Sequence, residues 1–90
     1  MDIDEINKLK ILHRLKKVEG QIRGIQSMLI DNRSCADILA QVSAVHSALN
    51  RIKKLLLEEK INAFFSFAED DFEYQNSLDE IIELIIKFIK

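Results

Sequence analysis

The chain has no proline and no tryptophan, only two glycines and a single cysteine among its 90 residues. Each scarcity closes off a class. Without proline, and nearly without glycine, there is little turn chemistry for hairpins and strand corners, which argues against a β fold. One cysteine cannot close an internal disulfide. No apolar run approaches membrane-spanning length, because the greasiest stretch, IIELIIKFIK, is broken by charges. The opening residues MDIDE are acidic, unlike the basic start of a secretory signal. The expectation is a soluble, cytoplasmic protein with no membrane partner, whose thiol stays reduced. No glycine-rich phosphate loop, nucleophile elbow or plausible triad can be traced, so an enzyme is not expected.

What is present is a set of strong helix formers. Nearly half of the chain is apolar, at 48%, so it should fold rather than stay disordered. Its length fits one domain covering residues 1–90. The expected class is all-α. From Ser34 to about Phe65, the residues Ile38, Val42, Val45, Leu49, Ile52 and Leu56 recur at spacings of four and three. That is the seam of a coiled-coil-like helix. At about 1.5 Å per residue it predicts a rod roughly 48 Å long. Ahead of it, Ile11, Leu15, Val18, Ile22, Ile25 and Leu29 form a second stripe with the same alternation.

The stop and start signals divide the chain into three helices. Asp2 with Glu5, Ser34 with Asp37, and Ser77 with Glu80 each have the spacing of a capping box. They predict helices over about 3–30, about 35–65 and about 77–89, with fraying between Phe65 and Asp71. Asp31-Asn32-Arg33 reads as the tight turn of a long αα-hairpin. Gly20 and Gly24 sit one turn apart on the side away from the stripe, which suggests close approach of another backbone. A domain this small with so much apolar stripe usually hides it by oligomerising. Two long hairpins would make an antiparallel four-helix-bundle dimer. The short third helix would pack outside or join dimers into a dimer of dimers.

The net charge of −2 conceals an asymmetry: residues 1–60 carry +3 and residues 61–90 carry −5. Lys10, Arg14 and Lys17 recur at i, i+4 and i+7, Gln21 continues the line, and Arg51 and Lys54 add charge on the second helix. Such a stripe can contact phosphates, although a charged helix face is also what water requires. Lys16, Arg23 and Arg33 are further candidates.

Cys35 follows the cap of the second helix, where the helix dipole and free N–H groups favour a thiolate. The alternative is a small buried apolar residue. If the rod pairs antiparallel with its twin near residue 49, Lys60 and Phe64 of the twin lie opposite Cys35. Lys60 could then supply an amine, or simply be a solvated lysine near a helix end. His13 and His46 are the only histidines. His46 lies about three turns from Cys35, too far to share a metal within one helix.

Taken together, HRLKKVEGQIRGIQSML and the following CADILAQVSAVHSAL resemble the copper-sensing repressor family, CsoR, which includes the nickel/cobalt sensor RcnR, the formaldehyde sensor FrmR and persulfide sensors. The resemblance covers nearly the whole chain, and the tail LDEIIELIIKFIK is similar to that of the RcnR and FrmR branch. It implies an all-α tetrameric repressor that binds operator DNA through a flat basic face without a helix-turn-helix. It places Arg14, Lys17 and Arg51 at DNA-contacting positions and Cys35 at the effector cysteine. In copper sensors a His lies 25 residues after that cysteine and a second Cys 29 after, where this chain has Lys60 and Phe64. Two of three donors for a cuprous ion are therefore absent. The nickel sensor's added histidines, the persulfide sensor's second cysteine and the formaldehyde sensor's N-terminal proline are missing as well.

The resulting expectation is a DNA-binding repressor released by an effector at Cys35, with an electrophile or aldehyde favoured and Lys60 of the twin as the accessory amine. Copper or nickel acting through a non-standard ligand set is the first alternative. A helical interaction module that has lost its sensor site is the second.

Overall fold

The computed structural model of the chain describes residues 3–65 and 72–89. Those residues form three α-helices: α1 (Glu5–Ile30), α2 (Cys35–Phe64) and α3 (Phe72–Ile89). The all-α expectation holds. Among the described residues, no helix is long and apolar enough to cross a membrane. The chain divides into two compact units. The first, Glu5–Lys53, holds α1 and the greater part of α2. The second holds the end of α2 and α3.

The turn joining α1 to α2 satisfies its backbone groups in full view of water. The Arg33 N–H donates to the Met28 carbonyl at 2.9 Å, and the Asn32 N–H donates to the Leu29 carbonyl at 3.2 Å. This pair of bonds is a Schellman ending, which needs one residue in the left-handed region. Asn32 takes that conformation, with φ at 57°. Asparagine tolerates it better than most residues, so no glycine is required here. Ser34 then caps α2, its Oγ accepting from the Asp37 N–H at 3.2 Å. The Asp37 carboxylate does not complete a reciprocal box. It pairs with Arg33 at 3.1 Å instead.

Inside the hairpin the apolar stripes divide in two. Ile11 and Val18 of α1, and Val45 and Ile52 of α2, are buried. Each pair is separated by one heptad. The alternate stripe residues, Leu15, Ile22 and Leu29 on α1 and Val42, Leu49 and Leu56 on α2, are between 36% and 59% exposed. These too repeat every seven residues. Within one protomer, half of the seam is used and half faces outward.

Two expectations need correction. α1 begins at Glu5 rather than near residue 3, and Asp2 lies outside the described residues. α3 begins at Phe72 rather than near residue 77, and Ser77 is a buried mid-helix residue, not a cap. Its early start has a tertiary cause: the Tyr74 ring packs on Phe64, 4.6 Å away between centroids. The segment expected to fray lies largely outside the described residues, apart from Phe65, a turn residue, at its start. Among the described residues of the protomer no backbone comes close to the glycines, so the expected neighbour would have to come from another chain. A Cβ on Gly20 would meet only the Arg23 side chain at 3.9 Å, and one on Gly24 nothing within 4 Å.

Replacing Gly24 with alanine should therefore stabilise the chain by up to about 1 kcal/mol, the helix-propensity difference between the two residues. Denaturant unfolding would measure it. A loss of stability would mean that another chain approaches this face.

Candidate nucleic-acid interface and effector thiol

The basic stripe on α1 is not spread over a convex surface. Lys10, Arg14 and Lys17 line a cleft of about 580 Å³ together with Arg51, which reaches it from α2. Helical spacing explains the first three, since i, i+4 and i+7 share one face. The hairpin turn supplies the fourth by folding α2 back beside α1. Leu9, Val18 and Ala48 add apolar surface to the cleft, and His13 and Gln21 complete its lining. No carboxylate lines it among the described residues.

The neighbouring cations are placed differently. Lys8 pairs with Glu5 at 3.7 Å, Arg23 with Glu19 at 3.9 Å and Arg33 with Asp37 at 3.1 Å, all along single turns and exposed. Pairs of this kind contribute only about 0.3–0.5 kcal/mol each. These pairs leave three cations locally matched, whereas no carboxylate lines the cleft among the described residues. The cleft can therefore attract a polyanion even though the whole chain is slightly acidic. Lys54 is exposed on α2 and does not line the cleft. The expected cationic set thus divides into four residues brought together and one apart. His13 is a lining residue that the stripe reading passed over. The signal was available, because it stands three residues after Lys10 and four before Lys17.

Cys35 is the first residue of α2 and is exposed. The alternative of a small buried apolar residue is therefore not what the protomer shows. The N-terminal turn of the helix presents backbone N–H groups there, and Ser34 satisfies the one on Asp37. Lys60 and Phe64 have partners within their own chain. Lys60 Nζ is 2.6 Å from Glu80 Oε2, with its side chain 15% exposed. Phe64 sits against Tyr74 and Phe65, with centroid separations of 4.6 and 5.5 Å. His46 is exposed on α2. Among the described residues, no group of three or more His, Cys, Asp or Glu could hold a metal ion.

Residues 7–87 match the model of a family described as metal-sensitive transcriptional repressor. The copper-sensing transcriptional repressor CsoR of Bacillus subtilis is 37% identical over 83 residues, covering 92% of this chain and 82% of that protein. The protein of the same name from Mycobacterium tuberculosis is 36% identical over 78 residues, covering 87% of this chain and 66% of that longer protein. Among solved structures, the copper-sensing repressor CsoR with Cu(I) from Geobacillus thermodenitrificans superposes with a TM-score of 0.86 at 38% identity. The match spans 98% of this chain and 92% of that one. The nickel-responsive transcriptional regulator InrS superposes with a TM-score of 0.77 at 35% identity, over 89% of this chain and 90% of that one.

The exposure of Cys35 has a direct consequence. Iodoacetamide should alkylate one thiol per chain without denaturant, at a rate within about tenfold of that in the unfolded chain. Intact-mass spectrometry over time would measure it. Labelling that requires denaturant would place the thiol behind another chain.

Proposed function

Because this chain belongs to the metal-sensitive transcriptional repressor family, we propose that it binds operator DNA through the cationic cleft of the α1–α2 hairpin and is released by an effector at Cys35. The convergence of Lys10, Arg14, Lys17 and Arg51 from two helices on one carboxylate-free cleft carries this reading. Cations that neutralise backbone phosphates release condensed counterions, which makes binding steeply salt-dependent. They position the protein on the duplex rather than reading bases. The His13 imidazole lines the cleft beside them, and Lys54, three residues after Arg51, adds a further cation on α2.

A second copy of the chain completes the machine. The outward half-seam, Leu15, Ile22 and Leu29 with Val42, Leu49 and Leu56, is the face that a twin hairpin would cover in a four-helix bundle. Ile82, Ile85, Ile86 and Ile89 on α3 remain exposed and can join two dimers into a tetramer. In a tetramer the clefts of several protomers present one extended cationic surface to the duplex.

The effector is where this chain parts from its named relatives. The relatives above sense copper or nickel, which favours a transition-metal ion. A cuprous site of thiolate and imidazole donors does not fit the residues present, since only Cys35 survives and Lys60 and Phe64 occupy the other two positions. Metal responsiveness here would rest on Cys35 with donors from a second copy. Addition of the Cys35 thiolate to an aldehyde or other electrophile is the second reading. It is favoured by one observation, an exposed thiol in the first turn of a helix with no donor cluster around it among the described residues.

Operator affinity should fall log-linearly with salt. Replacing Arg14 and Lys17 together with glutamine should reduce the slope by about 1.8, close to 0.9 for each phosphate left without its cation. Fluorescence anisotropy over a range of salt concentrations tests this, and an unchanged slope would rule out the cleft as the DNA face. In the same assay Cys35→Ser should keep operator affinity and abolish release by the true effector. Cu(I), Ni(II) and formaldehyde added separately distinguish the two effector readings, and release of the Cys35→Ser protein by any of them removes the thiol from the mechanism. Leu49→Glu should convert the oligomer to a monomer in sedimentation and weaken operator binding by at least about 100-fold, as expected when a charge enters a packed seam.

A further inference from the structure

The end of α2 and the start of α3 meet through two side-chain pairs in antiparallel order. Lys60 lies against Glu80, and one turn further along α2, Phe64 lies against Tyr74. On α3, Ser77 and Ile81 are buried between and beside those partners. The ion pair differs from the others described in the chain. Lys8, Arg23 and Arg33 are each at least 42% exposed, whereas the Lys60 side chain is 15% exposed and its Nζ–Oε2 separation is 2.6 Å. A mostly covered ammonium depends on its carboxylate far more than an exposed one does. The tilted rings, at 34° between planes, form the second pair, one turn further along α2.

Lys60 and Phe64 stand 25 and 29 residues after Cys35. At these offsets a copper sensor of this family needs metal donors, and here neither side chain is one. A protonated ammonium has no lone pair to give, and a phenyl ring has no donor atom. Both are turned instead onto α3. We infer that this chain has closed these two positions into a metal-free clasp. The Lys60 ammonium is the resident cation that holds Glu80, Phe64 holds Tyr74, and α3 stays fastened to α2 whether or not an effector is bound. Effector chemistry is then confined to the Cys35 end, and Lys60 is not an accessory amine for it.

The test is hydrogen exchange on the full-length, metal-free protein, read on peptides covering α3. This readout does not involve DNA, so it succeeds or fails independently of the repressor reading. In wild-type protein the α3 amides should be protected without metal and unchanged by added Cu(I) or Ni(II). Glu80→Gln, which keeps the shape and removes the charge, should exchange at least tenfold faster in α3 while the α1 peptides stay as in wild type. Phe64→Ala should do the same if it remains folded by circular dichroism, and Glu80→Gln suffices if it does not. Lys60→Leu should leave the Cu(I) stoichiometry, measured against a chromophoric chelator, as it is in wild type. Protection of α3 that appears only when metal is added, α3 exchange in Glu80→Gln equal to wild type, or Cu(I) binding abolished in Lys60→Leu would each overturn the clasp.

Discussion

Two apolar residues in every seven, carried over two long helices, are more than one hairpin can bury. A pair of packed helices has a single shared face, and here Ile11, Val18, Val45 and Ile52 occupy it. The other half of the repeat is left outward by geometry, because residues offset by three or four positions sit at opposite edges of one apolar face and a single neighbouring helix covers only one edge. This constraint makes the chain a component of an assembly. It also leaves the polar faces of α1 and α2 for other work, and there the cationic cleft is found.

The charge layout follows the same division. Local acids pair with Lys8, Arg23 and Arg33 along single turns, and among the described residues no carboxylate lines the cleft. The acidic C-terminal stretch lowers the overall charge of the chain, while no carboxylate lines the cleft among the described residues. One acid from that stretch, Glu80, has a structural task, holding Lys60 at the end of α2. A cation sensor and a cation clasp require different things at the same place. The first needs a donor with a lone pair, and the second needs a positive charge. Lysine at position 60 meets only the second requirement.

Much of this is legible in the chain alone. The class, the helix count, the α1–α2 turn and the cap at Ser34 follow from local rules, which act over four or five residues. The cationic stripe follows from spacing. What spacing could not supply was the partner side of each contact. Ser77 and Glu80 have the spacing of a cap, yet Ser77 is buried in mid-helix and Glu80 faces Lys60. The helix begins earlier because Tyr74 has Phe64 to pack on. The glycine pair suggests a neighbouring backbone, and among the described residues of the protomer none comes within 4 Å of a Cβ built there, so spacing leaves open which chain would supply it.

By itself the sequence determined that the chain is helical, where its first hairpin turns, and that one thiol sits at the start of the second helix. Those outcomes depend on backbone propensity, capping and periodicity, all of which are short-range. Only the tertiary structure decided which half of each apolar stripe is buried, that Arg51 joins the α1 cations across a cleft, and that Lys60 and Phe64 turn onto α3. Each of those joins residues far apart in sequence or selects between equivalent faces of one helix, and periodicity treats such faces alike until another element covers one of them.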